Sequence, residues 1–317
     1  MEQDSLWQTR RANWRRILII AALLAAAVFC VAFFAHLQAV NPAPTSPTPV
    51  ITPPPAPLDP MFPGLIACFL DVGQGDCLFF RAPDGKTLLI DAGPPGSFRA
   101  IQTHLDAWEV ERIDVAVATH LHADHIGGMS EILDHYEVGA FYMPPYDYES
   151  SEYANLLAAL ERSGLTPVTL YADARVFIPW SEECEIRVFS PFRAPYSDYN
   201  DTSFVLRVAY QDTAVLCMGD AGEVSERFMI KAFKNRLLRA DILKVGHHGS
   251  ATGTSLKLLR AVRPDIAVIS VGASNDYGLP NERVLERLRA EDITIVRTDT
   301  DGTLVFALDG TTVRMLK

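Results

Sequence analysis

The chain has 317 residues, a hydrophobic fraction of 49% and a formal net charge of -11 at pH 7. Its charges form no acidic or basic block, which argues against a protein that holds nucleic acid through bulk charge, although a local basic groove is not excluded. The five cysteines form no C-x-x-C pair, so they give no sign of a disulfide framework or a structural zinc site, and buried thiols are the simpler interpretation.

An uninterrupted apolar run at residues 17–35 follows four arginines in the first 16 residues. As a helix, the run is long enough to cross the membrane hydrocarbon core, which is about 30 Å thick. Because arginines favour the cytoplasmic side, the sequence predicts a cytoplasmic basic segment at 1–16 and a single-pass anchor at 17–37 in the cell membrane, with the remainder extracytoplasmic. The alternative is a protein secreted after signal cleavage, but no clear A-x-A site follows.

A proline-rich segment follows the apolar run. Residues 38–63 contain many prolines with alanine, threonine and serine, which predicts an extended linker without a core. Beyond it, no second proline-rich break and no internal repeat divides the chain. Residues 64–317 are therefore predicted to form one domain.

The domain begins with three short apolar segments, at 65–70, 77–81 and 87–90, which predict adjacent antiparallel strands. Helices and strands then alternate, which indicates an α/β fold with much antiparallel sheet. The predicted helices lie near 98–107, 128–135, 150–163, 223–233, 255–261 and 282–291. The predicted strands lie at 115–118, 204–209, 214–218, 242–245 and 266–271.

The strongest local motif follows the strand at 115–118. It reads H-x-H-x-D-H and contributes His120, His122, Asp124 and His125. A loop at a strand end can direct alternate side chains to one point, and imidazole with carboxylate is a ligand set for zinc or manganese. A polar helix cap does not explain three histidines so close together, so the motif predicts a metal site.

Two weaker motifs also follow predicted strands. Asp220 stands in Met-Gly-Asp, where on its own it is better explained as the N-cap of the next helix. His247 and His248 stand between glycines in Gly-His-His-Gly-Ser, a pattern that core packing does not explain well. Because all these residues follow strands, one edge of a sheet can bring them together.

The order of these motifs resembles the metallo-β-lactamase superfamily. Within it, FLDVGQGD at 69–76, NDTSFVL at 200–206, KVGHHGS at 244–250 and VISVG at 268–272 are similar to the extracellular hydrolase domain of ComEC-type competence proteins. The similarity covers residues 65–308. It implies a four-layer αββα sandwich with two divalent metal ions, zinc or manganese, at one edge of the paired sheets.

The resemblance also implies roles for the site residues. His120 and His122 would hold the first metal. The second metal would be held by Asp124, His125 and His247, and Asp220 would bind both metals. Asp91 would orient a ligand imidazole, or only form a turn before glycine. Asp124 and His248 are the predicted catalytic residues. Alternatively, His248 only supports the metal ligand His247. The predicted substrate contacts are Asn200, Ser203 and Ser250.

The chain departs from the superfamily pattern at two places. The superfamily usually supplies another histidine to the first metal, but no histidine lies between His135 and His247; residues 200–203 stand in that stretch and offer amide or carboxylate oxygens instead. Near the C-terminus, Tyr277-Gly278 is followed by leucine and proline, where competence-type sequences often have histidines. The first metal thus lacks one of its usual histidine ligands in this sequence.

Three functions fit the sequence. The leading hypothesis is a membrane-anchored, metal-dependent phosphodiesterase or nuclease whose partners are the membrane and DNA or another phosphodiester; no protein partner is indicated. The second is a hydrolase of a lactam, a lactone or a cell-envelope ester, because the same ligand set serves carbonyl substrates. The third is a non-catalytic surface binding domain. DNA uptake by this chain alone is excluded, because it lacks the multi-pass segment of a channel.

Overall fold

The computed structural model describes residues 58–59 and 62–316. The predicted basic segment, the membrane anchor and nearly all of the linker lie outside these residues. Within the described part, no helix combines the length and apolar character needed to cross a membrane.

The described chain alternates between strands and helices. The strands are β1 (Leu65–Phe69), β2 (Leu78–Arg81), β3 (Thr87–Ile90), β4 (Arg112–Val117), β5 (Glu137–Tyr142), β6 (Phe177–Ile178), β7 (Cys184–Ser190), β8 (Val205–Tyr210), β9 (Thr213–Cys217), β10 (Ile242–Lys244), β11 (Ile266–Ile269), β12 (Thr294–Arg297), β13 (Leu304–Leu308) and β14 (Val313–Met315). The α-helices are α1 (Phe98–Ala107), α2 (Ala123–Ile126), α3 (Met129–His135), α4 (Ser151–Ser163), α5 (Glu223–Ala232), α6 (Asn235–Leu238), α7 (Leu256–Val262), α8 (Glu282–Ala290) and α9 (Thr298–Asp301). Short 3-10 turns occupy Tyr199–Thr202 and Gly246–Gly249.

The strands form two mixed sheets of seven strands each. The first has the order β14-β13-β1-β2-β3-β4-β5, and the second has the order β12-β11-β10-β9-β8-β7-β6. The pairings β1 with β2 and β2 with β3 are antiparallel, which confirms the predicted arrangement of the first three strands. The pairings β3 with β4 and β9 with β10 are parallel.

Alternation along the strands produces three apolar cores. In β1, Ala67 packs between the two sheets, whereas Cys68 faces the helices on the outer side of the first sheet. In β9, Val215 likewise packs between the sheets, whereas Leu216 faces the helices on the second sheet. Side chains of a strand alternate between its two faces, so each sheet is buried on both sides. The predicted αββα sandwich is confirmed, while the helix that should precede it stays a prediction.

Candidate metal centre

The candidate site lies where β3, β4, β9 and β10 end, at one edge of the two sheets. Several residues there have left-handed backbone conformations, with φ of 61° at Asp91, 52° at Gly219, 49° at His247 and 51° at His248. Residues other than glycine rarely adopt such φ values. These backbone conformations persist where the surrounding structure enforces them, often at functional sites. The strand ends therefore present polar side chains in directions that a regular strand does not give.

One group of candidate ligands contains Asp124, His125, Asp220 and His248, whose ligand atoms lie within 4.8 Å of one another. The His125 Nε2 atom is 3.2 Å from Asp220 Oδ1. The His248 Nε2 atom is 3.2 Å from Asp124 Oδ2 and 3.5 Å from Asp220 Oδ1. The group thus contains His248, whereas the sequence analysis assigned His247 to it. Sequence spacing does not distinguish two adjacent histidines, because the direction of each ring depends on the backbone turn.

A second group contains His120, His122 and Asp220, again with ligand atoms within 4.8 Å of one another. The His120 Nε2 and His122 Nδ1 atoms are 3.0 Å apart. His120 Nε2 lies 3.7 Å from Asp220 Oδ2, the carboxylate oxygen that does not face His125. Asp220 therefore belongs to both groups and faces each with a different oxygen.

Several atoms at the centre of the site are buried without a hydrogen bond among the described residues. They are His125 Nε2, Asp220 Oδ1 and His248 Nε2. Buried polar atoms nearly always have a hydrogen-bond partner, so nitrogen and oxygen atoms that converge on one point without a hydrogen bond are suited to bind an ion between them. Imidazole and carboxylate donors suit zinc, manganese or iron. The residues present thus fit divalent metal ions at this site.

A protein-family model described as the metallo-beta-lactamase superfamily matches residues 70–273. The chain belongs to this superfamily. The matched range contains both ligand groups and the ends of the four strands that carry them. The site is therefore that of a metal hydrolase of the metallo-beta-lactamase superfamily.

Competence proteins are among the relatives of this metallo-beta-lactamase domain. ComE operon protein 3 of Bacillus subtilis is 28% identical over 254 residues, which cover 75% of this chain and 32% of that protein. Competence protein ComA of Neisseria gonorrhoeae is 31% identical over 240 residues, which cover 75% of this chain and 31% of that protein. The predicted resemblance to competence proteins is confirmed, and the chain spans about a third of the length of these relatives.

Solved structures of two other proteins share the fold. The metallo-beta-lactamase fold protein YhfI of Bacillus subtilis aligns with a TM-score of 0.51 at 10% identity, covering 76% of this chain and 99% of that one. Igni18, a metallo hydrolase of Ignicoccus hospitalis, aligns with a TM-score of 0.51 at 16% identity, covering 77% and 99%. Identities this low support the architecture of the metallo-beta-lactamase domain and nothing more specific.

Asp91 fixes the orientation of His125. Its Oδ2 atom accepts hydrogen bonds from His125 Nδ1 at 2.8 Å and from the Thr119 hydroxyl at 2.7 Å, and its Oδ1 accepts from the Thr119 backbone N–H at 2.7 Å. A carboxylate on one imidazole nitrogen leaves the other nitrogen free to face a metal. The structure thus places Asp91 against a ligand imidazole, as the resemblance implies, and its left-handed backbone forms the turn as well.

Asp76 and Lys244 form a buried ion pair behind His248, which the sequence analysis did not find. The Lys244 Nζ atom is 2.6 Å from Asp76 Oδ2, and both side chains are almost fully buried. His248 Nδ1 lies 3.4 Å from Asp76 Oδ1 and donates to the backbone oxygen of Ser270 at 2.9 Å. A lysine at the end of an apolar strand, directly before the two histidines, is the signal in the sequence that could have indicated it.

Burial and neighbouring carboxylates act in opposite directions on the histidines. Burial lowers the pKa of His122 and lowers that of His120 further. Burial would also lower the pKa of His125 and His248, but Asp220 and the other nearby carboxylates raise the first well above its usual value and the second to about 10. Without metal, protons on these two rings therefore balance the carboxylates. Ligands must lose such protons to bind a metal, so metal and protons compete for the site.

The metal groups open into a cleft of about 330 Å³, and its lining includes Gln74, Tyr148, Asn200, Tyr277 and Leu279 beside the ligand residues. Of the predicted substrate contacts, only Asn200 lines this cleft. Ser203 is buried and accepts a hydrogen bond from the Asp220 backbone N–H at 3.2 Å, so it positions a ligand. Ser250 instead bonds to the Thr252 hydroxyl at 3.0 Å.

Proposed function

We propose that this chain is a membrane-anchored, extracytoplasmic hydrolase that uses two divalent metal ions, zinc or manganese, to cleave phosphodiesters, with DNA as its substrate. The observation that carries the proposal is the position of Asp220 between two groups of ligand atoms, with a separate oxygen facing each group. When bound, a pair of divalent ions activates water for attack and stabilises charge on the phosphoryl oxygens.

The protein's own residues hold this centre in place. Asp91 keeps His125 Nε2 directed at Asp220, and Asp76 with Lys244 supports His248 from the opposite side of its ring. These contacts fix rings that must meet a metal ion within a few tenths of an ångström. Since the positioning atoms are buried, water does not compete for their hydrogen bonds.

The charge of the cleft favours an anionic substrate only when metal is bound. Asp124 and Asp220 face the cleft, and no lysine or arginine of the described residues lines it. In the metal-free site, protons on His125 and His248 only balance the carboxylates, whereas bound divalent ions outweigh them and attract an anion. A phosphodiester is such an anion. Because the chain is related to competence proteins, we propose DNA as the phosphodiester.

Aromatic side chains at the cleft also support a nucleic-acid substrate. Tyr277 is 74% exposed, and it lines the cleft together with Tyr148. Tyr148 packs against the His122 ring at 5.1 Å between centroids. Bases of a single strand stack on such rings, with a contribution of about 1–3 kcal/mol per base.

The test is metal-dependent cleavage by the full chain, purified in detergent. Bis(4-nitrophenyl) phosphate and fluorescent single-stranded and double-stranded DNA are incubated with manganese or zinc. We expect cleavage of the aryl diester and of DNA, and a loss of at least about 100-fold in Asp220→Asn, because this carboxylate belongs to both ligand groups.

Asp134→Asn is the matched control, since Asp134 makes the same carboxylate-to-amide change at an exposed pair with Arg162. Its activity should equal that of the unchanged protein. Two bound ions without cleavage of any phosphodiester would reject the proposal. Turnover of a cephalosporin, a lactone or an envelope ester in place of phosphodiesters would show that the site acts on that substrate class instead.

A further inference from the structure

The adjacent histidines after β10 face opposite oxygens of Asp220. His248 Nε2 is 3.5 Å from Asp220 Oδ1, the oxygen shared with His125. His247 Nε2 is 3.7 Å from Asp220 Oδ2, and His120 Nε2 lies at the same distance from that oxygen. The two rings are 6.1 Å apart and inclined by 73°. One dipeptide thus faces both ligand groups.

The backbone explains this divergence. Both histidines adopt left-handed conformations within the turn Gly246–Gly249, so their side chains leave the chain in different directions at one strand end. Two consecutive non-glycine residues in this region store strain, which persists where a function or the surrounding packing requires it. Packing accounts for His248, which is buried, but the side chain of His247 is 26% exposed at the cleft.

A contact at the Nδ1 atom of His247 also orients its ring so that Nε2 can act as a metal ligand. Its Nδ1 atom lies 3.3 Å from the Thr252 hydroxyl, which leaves Nε2 facing Asp220. A hydrogen bond on the second ring nitrogen is the usual arrangement for histidines that bind metal. The same arrangement occurs at His125 through Asp91 and at His248 through the Ser270 backbone oxygen.

The first ligand group offers three protein donors, one fewer than the four ligands of a tetrahedral metal site. It contains His120, His122 and Asp220, and the chain has no histidine between His135 and His247 to add to them. Asn200 is the competing donor, since its Oδ1 atom is buried, has no hydrogen bond to any described residue, and the residue lines the cleft. The neighbours of Asn200 are already engaged, because Asp201 accepts from the backbone of Gly222 and Ser203 from that of Asp220.

We infer that the two histidines divide between the two metals: His247 completes the first metal site, in place of the missing histidine, and His248 belongs to the second. His247 lies just outside the group of three, so its exposed ring must move toward the ion on binding. The inference rests on the two-metal site of the proposed function and is independent of the substrate.

Metal binding tests the inference without reference to activity. The full chain is stripped with a chelator and dialysed against Mn²⁺, and bound manganese is counted per chain while electron paramagnetic resonance distinguishes a coupled ion pair from single ions. We expect two ions and a coupled signal in the unchanged protein. His247→Ala should weaken one ion by at least about tenfold and leave the signal of an isolated ion.

His248→Ala and Asn200→Ala are measured in parallel, and His247→Gln gives a second variant of the same position should His247→Ala fail to fold. His248→Ala should lose the other ion, so the double variant with His247→Ala should lose both. Asn200→Ala should keep both ions and the coupled signal. Loss of an ion in Asn200→Ala with two ions kept in His247→Ala would overturn the inference and give the position to Asn200.

Two further outcomes separate the inference from the proposed function. Two coupled ions in both His247 variants, at unchanged affinity, would show that the first site needs neither donor and would overturn the inference. Fewer than two ions in the unchanged protein would overturn it as well. Two ions that depend on His247 and His248, in a protein that cleaves no phosphodiester, would support the inference and reject the proposed function.

Discussion

Among single residues, Lys244 is the least expected in its position. It ends an apolar strand, is fully buried and has the Asp76 carboxylate at 2.6 Å. Burial alone would raise the pKa of Asp76, but Lys244 and His248 hold it below its usual range. An ion pair in such a place contributes little net stability, yet removal of one partner leaves a charge without compensation. The pair therefore serves to position His248.

Lys244→Met should unfold far more easily than the unchanged protein. It leaves Asp76 charged and buried, which lowers the free energy of unfolding by about 3–5 kcal/mol. Urea unfolding in the presence of EDTA measures the loss. The double variant Asp76→Asn with Lys244→Met removes both charges of the pair and should recover part of the lost stability. Equal losses in the single and double variants would mean that the two groups are not coupled.

Protonation of His248 gives the metal-free protein a distinctive dependence on pH. The folded pKa is about 10 and the ordinary value is 6.5. Because the folded value is the higher one, the ion pairs of His248 stabilise the fold fully below pH 6.5, and this contribution is lost as pH rises toward about 10. The melting temperature in EDTA should therefore fall between pH 6.5 and 10.

His248→Gln is the control for this pH dependence, since glutamine has a similar length and does not titrate. Its melting temperature should change less over the same range. Saturation with Mn²⁺ should also flatten the curve, because a bound metal requires the neutral ring. An unchanged slope in His248→Gln would assign the pH dependence to other groups.

At the scale of elements, the strands that were predicted correctly are those that local sequence patterns determine. The first three strands are short apolar segments separated by glycine-containing turns, and their predicted antiparallel pairing is confirmed. The C-terminal strands β13 and β14 were not assigned, although Leu308 of β13 pairs with Leu65 of β1. That pairing joins the two ends of the domain, and no local pattern encodes it.

The same distinction applies to the site. H-x-H-x-D-H identified a ligand cluster because its residues lie on one loop after β4, and the structure brings all four into the metal centre. The direction of His247 against that of His248 was beyond sequence reasoning, since it depends on two left-handed residues. Ser203 was assigned to substrate, but it supports the backbone of Asp220 from a neighbouring element. Contacts between elements were thus the part that the sequence did not reveal.

Gly219 lies in the turn that follows β9 and directly precedes Asp220. Its φ is +52°, and an added Cβ would lie 3.0 Å from Thr119 Cβ and 3.1 Å from Ser203 Cβ. Gly219→Ala should therefore shift Asp220 as well as strain the backbone. Both metal ions should bind more weakly, by at least about tenfold, because Asp220 faces both groups. Titration of the stripped protein with Mn²⁺ measures the change.

Gly164→Ala separates the two effects. Gly164 has a similar φ of +69° at the end of α4, but an added Cβ there would meet no atom of the described residues within 4 Å. The variant should show only the backbone cost of about 1–2 kcal/mol, with normal metal affinity. If both alanine variants bind metal equally well, close packing at Gly219 does not position Asp220.

At the scale of the whole molecule, charge constrains how a nucleic acid can bind. The chain carries a net charge of -11, and the cleft has no basic side chain among its described lining residues. Proteins that grip DNA through many lysine and arginine contacts lose affinity steeply with salt, in proportion to the number of phosphates they contact. Under the proposed function, the bound ions and the exposed Tyr277 ring therefore supply most of the affinity for DNA.

Binding of single-stranded DNA should therefore depend only weakly on salt. Contact of about two phosphates with the metal pair corresponds to a slope of log affinity against log salt concentration of about -1.4. Fluorescence anisotropy with a cleavage-resistant phosphorothioate strand and saturating Mn²⁺ measures this slope. Tyr277→Ala should lower the affinity by at least about fivefold, since one stacked base contributes at least about 1 kcal/mol, and leave the slope unchanged. A slope steeper than about -4 would require six or more phosphate contacts, and hence a basic surface away from the cleft.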